Sequence, residues 1–368
     1  NQPMPASAPR WDHGGIGNGR VLALVSPSAS IDWLCLPRFD SPSIFARLLD
    51  VVRGGSFQIL AAGREIAGRL QYIKNTNVLS CRFEEGGCAW EITDFAPRVL
   101  AGSSVRAPLQ LMRLIQPLSG HPALSVRFDP RPDYGRAKAE FIPGEHGIAV
   151  TGGGVSLTLY TNLPMPYVLG GMPFVLNRPV FFVLAFGPPV EPPTLAAVRE
   201  KLDLTVAAWR AWVKTCALPQ FAQEAVMRSA LCLKLHIYQD TGAIIAAATT
   251  SIPEAMGTER TWDYRFCWLR DTAFVVEALR RLSFLEDGER FIHFLRDLAE
   301  AGPLQPVFGI GGERELPEEK LSHLSGFGGN GHVRVGNSAY EQRQNDLMGE
   351  MLLCLNTLLT DPRLVHEE

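Results

Sequence analysis

Short apolar runs separated by turn residues fill the first half of the chain. They are rich in β-branched and aromatic residues, and glycine groups such as 86–87 and 152–154 mark turns between them. Because no helical pattern interrupts the series, it predicts an N-terminal β-sandwich domain over residues 1–187. The runs lie at residues 21–26, 31–36, 70–73, 78–83, 89–95, 109–115, 124–128, 147–150, 155–160 and 180–186.

The pattern changes after a proline-rich segment at residues 188–193, which has the composition of a semi-rigid linker. From there, apolar residues recur at helical spacing. Thr194 is the predicted N-cap of a first helix that includes Trp209 and Trp212, so residues 188–217 are a linker with a helix. Residues 218–368 then form a helical domain, with helices predicted at about 221–238, 272–282, 287–301 and 338–359.

One segment between these helices combines aromatic rings with charges. Its aromatic residues occupy alternate positions, namely Trp262, Tyr264, Phe266 and Trp268. In an extended backbone they share one face, and Asp263 and Arg265 lie on the other. A face of aromatic rings suits the apolar side of a pyranose ring. The plainer interpretation is a buried strand, which the spacing alone fits as well.

Charged groups follow directly. Arg270 and Asp271 could supply the charge-assisted hydrogen bonds that sugar hydroxyls need. Asp271 also stands where the cap of the following helix is predicted, and a cap is the simpler role for an aspartate at that position.

Composition narrows the classes of protein that fit. The chain has 368 residues and a net charge of −3, and it has no long basic run, which argues against a nucleic-acid partner. Its seven cysteines show no metal-ligand spacing, so we expect reduced thiols, no metal and no other cofactor. No apolar run reaches bilayer length and no export signal is visible, so a cytoplasmic protein without a membrane partner is expected. The oligomeric state stays open.

Residues 254–271, here called the signature segment, resemble the signature of glycoside hydrolase family 15, the glucoamylase and bacterial trehalase family. In that family a Trp-x-Arg-Asp element, matched here by Trp268 to Asp271, holds the non-reducing-end glucose. Residues 16–49 also resemble the N-terminal β-domain of bacterial members. The resemblance implies that Trp268, Arg270 and Asp271 bind substrate, and that Trp262 and Tyr264 shape the glucose pocket.

A second motif, residues 334–346, matches a loop and helix start at the rim of the family's pocket. The resemblance implies that Gln344 and Asp346 contact sugar hydroxyls. An ordinary helix start capped by Asn337 explains the same residues equally well. Thr261 and Gly311 depart from the family pattern. These departures bear on which substrate is bound more than on the fold.

The family resemblance implies an (α/α)6 barrel that hydrolyses α-glucosidic bonds with inversion, with trehalose or a maltose-type α-glucoside as substrate. Inversion needs two carboxyl groups about 6.5–9.5 Å apart. In the family these groups come from later loops, so no catalytic residue is predicted before Glu368. The predicted helices are also too few to close a barrel. We therefore expect an N-terminal part of a longer enzyme, inactive on its own.

Three alternatives compete with this interpretation. A catalytic pair within the signature segment, drawn from Glu254, Glu259, Asp263 and Asp271, would crowd one side of the sugar, whereas inversion needs opposite faces. Phosphorolysis would require a phosphate site, and no cluster in the sequence predicts one. A non-catalytic sugar-binding or scaffold protein fits the residues present equally well.

Overall fold

A computed structural model describes residues 11–363, and antiparallel sheets occupy its first half, here called the sheet region. All ten runs predicted from the sequence overlap strands. The strands are β1 (Gly14–Gly17), β2 (Leu22–Val25), β3 (Ile31–Cys35), β4 (Ser43–Phe45), β5 (Ser56–Ala61), β6 (Arg69–Tyr72), β7 (Leu79–Glu85), β8 (Cys88–Phe95), β9 (Val99–Ala101), β10 (Ser104–Arg106), β11 (Gln110–Ser119), β12 (Ala123–Asp129), β13 (Glu140–Pro143), β14 (Gly147–Gly152), β15 (Val155–Thr161), β16 (Phe174–Val175) and β17 (Val180–Phe186), with the short helix α1 (Met165–Leu169) before β16.

Two large sheets dominate this region. One has seven strands in the order β1-β2-β3-β5-β12-β16, with β4 paired to β3, and the other has eight in the order β13-β14-β15-β17-β11-β8-β7-β6. The hairpin between β7 and β8 turns through Gly86 and Gly87, whose φ angles are 59° and 76°. Two positive φ angles in a two-residue loop are the requirement of a type I′ turn, which glycine meets without steric cost.

The eight-stranded sheet is covered on both faces. Along β17, Val180, Phe182 and Leu184 pack against the seven-stranded sheet. The intervening residues Phe181 and Val183 pack against the helices. A strand buried on both faces needs a continuous apolar run, and the sequence of β17 supplies one.

A buried ion pair ties the two sheets together. Arg113 of β11 donates to both carboxylate oxygens of Asp94 on β8, at 2.7 and 3.1 Å. Arg113 also donates to two backbone oxygens of the seven-stranded sheet's side: that of Phe57 on β5 and that of Ala29 in the turn between β2 and β3. Since Arg113 and Asp94 are 0% and 1% exposed, these hydrogen bonds replace the water that both charges have lost.

Helices fill the second half of the chain, here called the helical region, and short strands connect them. The helices are α2 (Leu195–Val213), α3 (Gln223–Leu235), α4 (Leu269–Arg281), α5 (Leu285–Ala301) and α6 (Leu347–Leu359). The short elements are β18 (Cys267–Trp268), β19 (Val307–Phe308), β20 (Glu319–Lys320) and β21 (Arg334–Val335), with 3₁₀ turns at Phe327–Gly329 and Ser338–Glu341. Thr194 caps α2 as predicted, because its side chain accepts a hydrogen bond from the Ala197 N–H.

Two helix starts differ from the prediction. Helix α4 begins at Leu269, so Asp271 lies inside its first turn and does not cap it. The helix predicted over residues 338–359 is interrupted, since Gln342 has an extended backbone between the 3₁₀ turn and α6. Both starts are set by contacts with distant segments, which are described below.

Helix α6 packs one face against α4 and leaves another open. Leu347, Met351 and Leu358 belong to the core shared with α4 and α5. Leu352 and Leu353, in contrast, are both 64% exposed. The described residues do not show the closed toroid that the family resemblance implies. Among the helices in residues 11–363, none is both long and apolar enough to span a bilayer.

We predict that replacing Asp94 with Ala lowers the free energy of unfolding by about 3–5 kcal/mol, because Arg113 would remain buried without its counter-charge. Urea denaturation of the wild type and the variant measures the difference. Asp203→Ala, at an exposed position of α2, is the matched control and should change stability by no more than about 0.5 kcal/mol. Equal losses in the two variants would contradict the proposed role of the pair.

Candidate functional site

The signature segment begins with turns and bends at residues 254–259 and leads into α4, and burial alternates over residues 262–265. Asp263 and Arg265 are 0% and 1% exposed, whereas Trp262 and Tyr264 are partly exposed. The predicted alternation therefore appears in burial only from Trp262 to Arg265, because Phe266 and Trp268 are also buried, at 6% exposure each. Only Cys267–Trp268 pairs as a strand, with Val307–Phe308.

Asp263 and Arg265 form a bidentate ion pair at the join between the sheet and helical regions. The guanidinium donates to the two carboxylate oxygens at 2.8 and 2.9 Å. It also donates to the Ser41 backbone oxygen at 2.9 Å and to the Tyr134 hydroxyl at 2.7 Å, both in the sheet region. Although burial opposes the charge, Asp263 raises the pKa of Arg265 further above its ordinary value.

The same carboxylate holds the second motif. Asp263 accepts a hydrogen bond from the Gly336 N–H at 3.2 Å, and its backbone oxygen accepts one from the Asn337 side chain at 3.1 Å. Asn337 in turn caps the 3₁₀ turn Ser338–Glu341 by accepting from the Ala339 N–H at 2.9 Å. The buried ion pair thereby fixes the backbone that leads to Gln344 and Asp346.

Arg270 brings four of the predicted site residues together, a group here called the Arg270 cluster. Its guanidinium lies 3.2 Å from the Gln344 side-chain oxygen and 3.3 Å from Asp346 Oδ2. Its other terminal nitrogen lies 3.6 Å from Asp271 Oδ2. That Asp271 oxygen is buried without a hydrogen-bond partner, although the side chain as a whole is 46% exposed. The cluster therefore offers both donors and an unsatisfied acceptor at the start of α4.

The aromatic residues divide into two places. Tyr264 and Trp268 have ring centroids 5.4 Å apart, and Trp268 is 6% exposed within an apolar cluster that includes Phe266. Trp262 instead lies under Arg334, whose guanidinium carbon is 4.3 Å from the ring centroid. The structure thus brings Tyr264 and Trp268 together and gives Trp262 a different neighbour.

Two other acidic residues of the signature segment, Glu254 and Asp263, are engaged elsewhere. Glu254 accepts the Tyr264 hydroxyl at 2.7 Å and pairs with Arg260 at 2.7 Å. Burial, together with this hydrogen bond and the charge of Glu254, raises the pKa of Tyr264. Both carboxylate oxygens of Asp263 accept hydrogen bonds from Arg265. Residues 11–363 contain no group of three or more His, Cys, Asp or Glu placed to hold a metal ion.

A cavity of about 270 Å³ lies beside Asp271, between α3 and α4. Phe274 and Val275 of α4 line it together with His236 and the segment 244–246. Burial lowers the pKa of His236, which favours its neutral form there. Sequence reasoning did not find His236, because nothing in its local pattern distinguishes it from other helix-end residues.

Sequence comparisons agree with this architecture. Residues 220–367 match the family model described as Glycosyl hydrolases family 15, and residues 7–163 match the model described as Trehalase-like, N-terminal. Residues 220–367 therefore form a glycoside hydrolase family 15 domain, and a trehalase-like N-terminal region precedes it. The resemblance noted from the signature segment is confirmed.

Curated relatives are trehalases. One from Mycolicibacterium smegmatis is 33% identical over an alignment of 384 residues that covers 95% of this chain. One from Thermoplasma volcanium is 31% identical over 354 residues, which cover 94% of it. The chain spans 56% of the length of each of these two relatives.

We predict that Arg265→Met lowers the free energy of unfolding by about 3–5 kcal/mol, because Asp263 would stay buried without its partner. Arg265→Lys should lose less, since lysine keeps the charge but cannot reproduce the forked hydrogen bonds. Urea denaturation measures stability, and limited proteolysis within residues 334–346 reports whether the second motif loosens.

The exposed Arg281→Met, on α4, is the control and should lie within about 0.5 kcal/mol of the wild type. A wild-type urea midpoint and a wild-type proteolysis rate for Arg265→Met would show that the pair does not hold this motif.

Proposed function

We propose that this chain supplies the sugar-holding part of an inverting α-glucoside hydrolase, with trehalose as the first candidate substrate. The observation that carries the proposal is the Arg270 cluster, in which Arg270, Asp271, Gln344 and Asp346 converge although they lie up to 76 residues apart. The family assignment and the trehalases among its relatives support the same substrate class.

The cluster has the chemistry to hold one glucose ring. Asp271 would accept a hydrogen bond from a sugar hydroxyl, and Arg270 would donate one to the same or the neighbouring hydroxyl. Gln344 and Asp346 would add further contacts from the other side of Arg270. Tyr264 and Trp268 provide the apolar surface nearby, and we propose that Trp262 contributes only to the outer wall.

Inversion requires an acid and a base that this chain is not proposed to contain. Asp263 is excluded as either, because it is fully buried in its ion pair. Glu254 is engaged by Tyr264 and Arg260 on the same segment. We propose that both catalytic carboxyl groups belong to the part of the relatives that lies beyond the matched 56%.

The exposed apolar face of α6 is consistent with a catalytic part that lies outside this chain. Leu352 and Leu353 on α6 lie on the side away from α4, and Phe274 on α4 is 61% exposed. Large apolar side chains exposed on two neighbouring helices are normally covered by a further element. We propose that α3 to α6 are the first part of an (α/α)6 barrel whose later helices cover these residues.

Two alternative functions are compatible with the same cluster. A glucoamylase-type enzyme would use the same cluster on a maltose-type α-glucoside. A sugar-binding protein without catalysis would retain the cluster and lack turnover. These candidates differ in the reaction that a full-length protein performs, so one experiment separates them.

We predict that a full-length enzyme containing this chain hydrolyses trehalose with inversion. The attacked glucose unit would then leave as the β-anomer while the departing unit keeps its α configuration, so fresh product contains both anomers in equal amounts. Proton NMR within the first minutes, before mutarotation, measures the ratio. Product that is initially all α-glucose would contradict inversion, and turnover of maltose alone would favour the glucoamylase-type candidate.

We predict that Asp271→Asn in that enzyme lowers kcat/KM about 10- to 100-fold, since a charge-assisted hydrogen bond contributes about 1.5–3 kcal/mol. Stability should change little, because Asp271 does not cap α4. The control Asp297→Asn, at an exposed position of α5, should keep full activity. If Asp271→Asn also kept full activity, the sugar-binding role proposed for this carboxylate would be wrong.

A further inference from the structure

A second cavity, of about 410 Å³, lies where the sheet region meets α2, α3 and α5, and is here called the interface cavity. It reaches Ser283 and Phe284, just after the C-terminal end of α4, whereas Arg270 lies in the first turn of that helix. A 13-residue helix is about 20 Å long, so this cavity is separate from the Arg270 cluster.

Arg98 is the cation in this cavity that lacks a counter-charge. The residue is 6% exposed, its Nη1 donates to the Asn18 backbone oxygen at 2.9 Å, and its guanidinium lies 4.8 Å from the centre of the Trp209 ring. Its Nε is buried without a hydrogen-bond partner, and within residues 11–363 no carboxylate forms an ion pair with it. Burial lowers the pKa of Arg98 to about 10, which the charges of Asp287 and Glu286 only partly offset.

The other cations of the cavity are already paired. Lys234 donates to Asp287, and Arg290 pairs with Glu286 at 2.9 Å. Three cationic and two acidic side chains line the interface cavity, which leaves one positive charge in excess. Because a buried charge without a partner is costly, the excess on Arg98 indicates that an anion completes the site.

The start of α5 adds a second attraction for an anion. Helix α5 has 17 residues, and its N-cap residue Phe284 makes no side-chain capping bond. Its first-turn residues line the cavity, and the two acidic ones among them, Glu286 and Asp287, are paired with Arg290 and Lys234. The first N–H groups of a helix have no partner within the helix, and the helix dipole is positive at this end. Such an end binds phosphate and similar oxyanions. Ser103 and Gln239 supply further polar groups to the lining.

We propose that the interface cavity binds a small oxyanion of the phosphate type, held between Arg98 of the sheet region and the first turn of α5. The ligand is either free phosphate or a phosphate group carried on a small metabolite. Binding joins the sheet region to the helical region and stabilises the contact between them. This site takes no part in phosphorolysis, since it lies at the opposite end of α4 from the sugar-binding residues. The inference does not rest on the proposed function.

The first test measures thermal unfolding of the chain in inorganic phosphate and in potassium chloride at the same ionic strength and pH. The expected result is a saturable rise in Tm of a few degrees with phosphate and none with chloride, because a ligand that binds only the folded state stabilises it. A sugar monophosphate tested alongside separates the two sources, since a lower Kd than that of inorganic phosphate indicates a carried group. No saturable effect of either compound would overturn the proposal.

The second test assigns binding to the cavity. Phosphorus NMR line broadening gives the Kd of inorganic phosphate for the wild type and variants. Arg98→Gln and the cavity-filling Ala211→Met should each weaken phosphate binding at least tenfold, and the exposed Arg199→Gln on α2 should bind like the wild type. Because Ala211→Met retains Arg98, it decides the question if Arg98→Gln fails to fold. Wild-type affinity in Ala211→Met would place the bound phosphate elsewhere and overturn the proposal.

Discussion

The buried ion pair of Asp263 and Arg265 is the interaction on which the arrangement of the candidate site depends. Removing two charges from water is costly, and their attraction offsets that cost only when the remaining hydrogen-bonding groups are also satisfied. Here the partners come from three places: the signature segment, the sheet region at Ser41 and Tyr134, and the second motif at Gly336. The pair is well compensated only when all three segments are assembled, so it selects one relative position for them.

That position determines where Arg270, Gln344 and Asp346 lie. After the ion pair, the backbone continues through Cys267–Trp268, which pairs with Val307–Phe308. This pairing places Arg270 in the first turn of α4. On the other side, Asn337 starts the turn that delivers Gln344 and Asp346. The sheet region places no side chain in the Arg270 cluster, yet its contacts with Arg265 help to hold both halves of that cluster in register.

The sequence predicted most accurately what local chemistry decides. Apolar runs bounded by glycine became strands, and Thr194 capped the helix that it was expected to cap. The cap predicted at Asp271 was wrong because the entry to α4 is fixed from outside, by strand pairing and by a hydrogen bond from the Leu269 N–H to the Pro306 oxygen. A partner about 40 residues away leaves no trace in the local pattern.

The candidate site shows the same limit. Trp268, Arg270 and Asp271 stand out through their motif, and Gln344 and Asp346 through a second motif, so the family resemblance found residues that the structure then brought together. Tyr134 and Ser41 carry no motif at all. Their role is visible only in the folded structure, where the Tyr134 hydroxyl and the Ser41 backbone oxygen accept hydrogen bonds from Arg265, more than 130 residues away in the sequence. The interface cavity was missed for the same reason, because Arg98 and the start of α5 are nearly 190 residues apart.

The loss of the capping role strengthens the case that Asp271 faces a ligand. A buried acceptor without a hydrogen bond costs about 1–3 kcal/mol, and Asp271 Oδ2 is such an acceptor. Its position in the first turn of α4 and the nearby Arg270 guanidinium offset part of this cost, since both favour a negative charge there. Neither supplies the missing hydrogen bond. In the proposed complex a sugar hydroxyl would supply it while accepting from Arg270, so one ligand group would satisfy the carboxylate and the guanidinium together, which a structural cap at this position would not require.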